Sequence, residues 1–96
     1  MGFRNTSFTN HSGTITSAGV SQQVLAANSE RNFLLIQNLS TSHHMHVGIG
    51  YTPSATSGIQ INSNGGGVVF EDGAVPVEAI HIFCNTAGEP FVALEG

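Results

Sequence analysis

Short apolar runs recur along this chain, each closed by a turn, and that rhythm restricts it to an all-β fold. "TITS" (14–17), "SQQVLA" (21–26), "NFLLIQN" (32–38) and "HMHVGIG" (44–50) come first. "GIQI" (58–61), "GVVF" (67–70), "EAIHIF" (78–83) and "FVALE" (91–95) follow. Between them stand turn-forming stretches such as "NSERN", "TPSATSG", "NSNGGG", "EDGAVP" and "NTAGEP". Alternation, β-branched residues and Gly or Pro breaks at this spacing predict seven or eight strands in a sandwich or barrel. Pro53, Pro76 and Pro90 all fall at or beside turns, where a sheet tolerates them. The best helical candidate, "VLAANSERNFLLI" (24–36), loses its apolar periodicity in "QNLSTS".

A chain of 96 residues makes one domain with one modest core. Residues 1–20 are polar and punctuated by Gly, and predict an extended N-terminal arm ahead of a β domain spanning 21–96. Such an arm orders when it lies on a partner, which makes Phe3, Arg4 and Phe8 candidate contact residues. Alternation within the runs places Phe33, Leu35, Val47, Ile49, Val69, Ile80, Ile82, Val92 and Leu94 in the core. "NFLLIQN" is apolar on both faces, so both are expected to be covered.

Charge is scarce: Asp, Glu, Lys and Arg make up 8% of residues, against about 25% in an ordinary domain. There is no lysine, and the two cations are Arg4 and Arg31. Two arginines cannot neutralise a run of phosphates, so nucleic acid is not an expected partner. An anionic membrane is disfavoured for the same reason, and no apolar run reaches the roughly 20 residues of a spanning helix. The surface is instead Ser, Thr, Asn, Gln and Gly, which loses little hydration when it meets a neighbour. This suits a subunit among other subunits and, equally, a small soluble β domain with a neutral coat.

Chemistry is sought first in "SHHMHVGIG" (42–50). On a strand, His44 and His46 share one face, while Met45, Val47 and Ile49 share the other. A His-x-His pair suits a metal in a cupin-like site, with His81 as a possible third ligand. The next acid after His46 is Glu71, too distant in sequence for the usual carboxylate, and a site needs three or four ligands. The histidines are therefore expected on a polar face, with no cofactor. Cys84 is the single cysteine, which excludes an intrachain disulfide and predicts a buried, inert thiol. Glu71 and Asp72 are adjacent, so a strand would send them to opposite faces, and they are expected to open the turn "EDGAVP". No nucleophile elbow is present, and the Gly65–Gly67 run precedes a strand rather than a helix, as a flexible turn does. None of this predicts an enzyme.

The segment 24–96 resembles a class of small virion accessory proteins of tailed bacteriophages. The likeness rests on "VLAANSERNFLLIQNLS", where an Arg precedes an apolar strand ending in Gln-Asn, followed by "VGIG", "SGIQI", a Gly-rich turn with "VVF", "AIHIF" and "FVALEG". The resemblance implies a seven- to eight-stranded antiparallel sandwich, jelly-roll-like, that decorates or cements a capsid by binding the major capsid protein. It further implies a homo-oligomer, with a trimer favoured, on the virion exterior, made in the bacterial host cytoplasm. A phage fibre or host-attachment module is the alternative within that class, and a small cupin-like metal-binding protein the alternative outside it.

Overall fold

We describe the protein from a computed structural model, which covers residues 7–71 and 73–96. Every regular element among them is a strand: β1 (Thr9–Asn10), β2 (Gly13–Thr14), β3 (Gln22–Leu25), β4 (Phe33–Asn38), β5 (Met45–Ile49), β6 (Ile59–Ile61), β7 (Gly67–Glu71), β8 (Ile80–Phe83) and β9 (Pro90–Glu95). They form two sheets with antiparallel pairing throughout. The first sheet runs β1-β9-β4-β7, with β2 also paired to β9, and the second runs β3-β8-β5-β6. The segment "NSERN" turns rather than starting a helix, because Asn28 Oδ1 accepts the Glu30 amide at 3.0 Å and Asn28 O accepts that of Arg31 at 3.2 Å.

The core lies between the sheets. Leu34 and Ile36 of β4 and Phe91 and Ala93 of β9 face Leu25, Met45, Val47, Ile61, Ile80 and Ile82 of the second sheet. Val47, Ile80 and Ile82 thus occupy the expected interior, and Ile49 packs at its margin. The expected inner face of β4 and β9 is the outer one. Phe33, Leu35, Val92 and Leu94 are half-buried on the outside, and Val69 is 50% exposed. The cause is β4, whose two faces are both apolar, so that a shift of one residue costs nothing in pattern. What sets the register is Asn38, fully buried on the inner face with Leu34 and Ile36.

The expected arm also needs correction. Thr9 pairs with Glu95 and Gly13 with Phe91, and Ile15 is buried in the core. Residues 9–15 therefore belong to the β domain, and no boundary falls at residue 20. Phe3 and Arg4 lie outside the described residues.

A polar clamp sits at each end of β4. At its end, Asn38 Nδ2 donates to His43 O at 2.8 Å and to Ile61 O at 3.1 Å, and Oδ1 accepts the Ser40 amide at 2.8 Å. That joins the first sheet to β6 of the second. Just before its start, Arg31 is buried. Its Nε donates to Glu95 Oε1 at 2.8 Å, Nη1 to Pro76 O at 2.8 Å and Glu78 O at 3.0 Å, and Nη2 to Ala26 O at 2.8 Å. Glu95 lies on β9 of the first sheet, while the three carbonyls lie on segments entering or leaving the second. One guanidinium therefore ties both layers.

Candidate functional site

The histidines occupy the outer face of the second sheet. Met45 and Val47 point into the core, so His46 points away from it, and His44 precedes the strand. His81 pairs with Gly48, and His46 with Phe83, which puts His46 and His81 on the same face. The face is the polar one that the alternation predicts, and on it His46 is only 6% exposed. The β5–β6 connection folds back over it. Pro53 is buried against Gly48, where a Cβ would meet Tyr51 O at 2.3 Å and Pro53 Cδ at 2.7 Å. Gly48 is thus required by this close approach, a constraint that alternation does not show.

The His44 and His46 rings meet edge to face with centroids 5.2 Å apart. Burial holds the His46 imidazole below its ordinary value, the neighbouring His44 pushes the same way, and Gln60 opposes them. His46 therefore favours the neutral form. His81 Nδ1 is buried without a hydrogen-bond partner. Among the described residues, no three His, Cys, Asp or Glu side chains come together to hold a metal. His43 stands apart, hydrogen-bonded to Ser42 Oγ at 2.9 Å and 3.8 Å from Glu89. Cys84 is buried, its Sγ 3.7 Å from His44 O.

We expect His44, His46 and His81 to hold no metal that the fold needs. Untagged protein should melt at the same temperature with zinc, without it, and after chelation. Stoichiometric zinc or iron by elemental analysis, together with a large fall in melting temperature on chelation, would overturn this expectation.

The outer face of the first sheet is different in kind. Directly paired residues share a face, so Val69, Leu35, Leu94 and Asn10 form one row across the sheet, and Gly67, Gln37 and Val92 form the next. Phe33 lies beside Glu71, and its ring takes that of Phe8 edge to face at 5.0 Å. Phe8 is 56% exposed. Five large apolar side chains therefore lie side by side on one sheet face around Leu35: Phe8, Phe33, Val69, Val92 and Leu94. "NFLLIQN" carries this signal in its lack of a polar face. Of the expected contact residues in the arm, Phe8 belongs to this patch.

Charge on the described surface has one sign. Glu30, Glu71 and Glu78 are exposed, whereas the one described Lys or Arg, Arg31, is buried. Comparison with protein-family models, with curated proteins and with solved structures found no match.

Proposed function

We propose that this chain is a structural virion part, a bacteriophage capsid decoration or cement protein, and not an enzyme. It lies on the outer surface of the coat lattice, bound to the major capsid protein as a homo-oligomer, after synthesis in the host cytoplasm. One observation supports this reading above the others: the outer apolar face of the first sheet, which no described element covers, built from Phe8, Phe33, Leu35, Val69, Val92 and Leu94. Contiguous apolar area of this kind on a small chain marks a surface that docks on protein. A face of that make-up associates by apolar burial rather than by charge, so its binding resists salt. Each contact of a 96-residue chain is small, and many copies on a repeating lattice raise the effective concentration of every further contact. Binding to the assembled lattice then stabilises it by linkage.

The experiment is to mix purified protein with undecorated heads at low and high salt, sediment them, and heat them. We expect co-sedimentation at both salt concentrations and heads that withstand a higher temperature. The Leu35→Ser variant, changed on the outer face alone, should bind much less while remaining folded. Absence of co-sedimentation, or binding that leaves heat resistance unchanged, would refute the cement role and favour a fibre or host-attachment module.

A further inference from the structure

Among the described residues, each sheet edge is blunted except one. β3 carries a register shift between Gln23 and Leu25, β6 has only 3 residues, and the β1/β2 edge is broken into pieces of 2 residues each. β7 is a 5-residue strand paired to β4 without a register shift, and no described strand lies on its other side. It contains no Pro and no Lys, the usual guards of an exposed edge.

The hydrogen-bond phase of this edge follows from its neighbours. Phe33 N–H donates to Gly96 O and Phe33 O accepts from Gly96 N–H, both at 3.0 Å. The polar groups of Phe33, Leu35 and Gln37 therefore face β9, and those of Leu34, Ile36 and Asn38 face β7. The Asn38 amide, donating to Gly66 O at 2.8 Å, agrees. Ile36 pairs with Val68 and Leu34 with Phe70, so Val68 and Phe70 bond inward to β4. Gly67, Val69 and Glu71 turn their N–H and C=O groups outward, along the free edge.

We propose that β7 is a self-pairing edge: two copies of this chain join antiparallel through it about a two-fold axis at Val69. Val69 then lies opposite Val69 of the second copy, and each Gly67 lies opposite a Glu71. All three outward-facing residues meet outward-facing residues, as an isologous pair requires. The side chains agree with this register. Glu71, the one charge on the strand, meets the one residue without a side chain. The two Glu71 carboxylates stand about four residues, or roughly 14 Å, apart along the strands, beyond the screening length of about 8 Å at physiological salt. The axis is perpendicular to the sheet, so both outer faces lie on one side. The row Val69, Leu35, Leu94 continues directly into its copy, and the apolar face doubles. The pair is two-fold, in place of the trimer that the phage resemblance implies, and it does not depend on the capsid reading.

The test measures mass by sedimentation over a concentration series of the untagged full chain, starting from the 10.0 kDa monomer. An edge of this size is a small interface, so the doubled mass should emerge at about 0.1–1 mM. Amide exchange should slow with concentration at Gly67, Val69 and Glu71 while staying constant at Val68 and Phe70. Val69→Pro removes an outward N–H that no described residue of the monomer accepts, and should stay monomeric and folded. Should Val69→Pro fail to fold, Val69→Lys and Val69→Glu keep the test decisive: each alone should be monomeric, and their mixture should pair. A chain that stays monomeric to 1 mM or forms a trimer, or an unmixed Val69→Lys that pairs as well as the original, would overturn the proposal.

Discussion

Replacing Arg31 by Met is expected to remove about 3–5 kcal/mol of stability, the cost of breaking a buried ion pair from one side. The Arg31 side chain is 0% exposed and its hydrogen bonds end on Glu95, Ala26, Pro76 and Glu78. Met fills similar volume but leaves three carbonyls without the guanidinium donor and a nearly buried carboxylate without its cation, with the Asn28 and His11 contacts to Glu95 remaining. Domains of this size hold roughly 5–15 kcal/mol in total, so the melting temperature should drop by about 15–30 °C. Thermal and urea melts of the single variants and of Arg31→Met/Glu95→Gln measure the effect and its coupling. A loss under 1 kcal/mol for Arg31→Met would show that the clamp is dispensable.

The same pair sets a pH window. Burial alone raises the Glu95 carboxyl, but the hydrogen bonds from Arg31 and Asn28 and the charges of Arg31 and His11 outweigh it, leaving it below its ordinary 4.5. A depressed carboxyl means that the unfolded chain takes up its proton first. The stability it contributes is present above pH 4.5 and is lost as pH falls through the folded value. His46 acts with the same sign at higher pH: its neutral form is favoured in the fold, so stability declines as pH falls below 6.5. Melts between pH 7.5 and 3 should show both declines. Arg31→Met should shrink the acid one and leave the His46 one in place.

The second large effect is expected at Ile82. Truncation to Ala should cost about 2–5 kcal/mol, because this 0%-exposed side chain is surrounded by both sheets and the site has little room to collapse. Leu35, on the outer face of β4 in the other sheet, is the control. Leu35→Ala should cost under about 1 kcal/mol, since the side chain is only half-buried, on an outer face that no described element covers. Chemical denaturation of the two variants side by side tests which face of the first sheet looks inward. Equal losses would place Leu35 in the core after all.

The amino-acid sequence by itself determined the strand class and much of its layout. Alternation in "HMHVGIG" is enough to send Met45 and Val47 inward and the histidines outward, and the Gly, Pro and Asn stretches mark where strands stop. Tertiary structure alone decided the rest, because those features depend on pairings between distant residues. β4 is apolar on both faces, so its inner face is set by Asn38 meeting His43 and Ile61, and not by its pattern. Ile15 sits in a polar lead-in that local composition assigns to an arm, yet β9 draws it into the core. Arg31 has one charge partner and three carbonyl partners, of which Glu95, Pro76 and Glu78 come from the other half of the chain. His46 is buried by a loop that returns over its own strand, with Gly48 making room for Pro53. Likewise the free β7 edge exists only once the strand order is set. A strand's hydrophobic pattern reports how many faces it has to bury, whereas the neighbours that bury them are chosen by the whole fold.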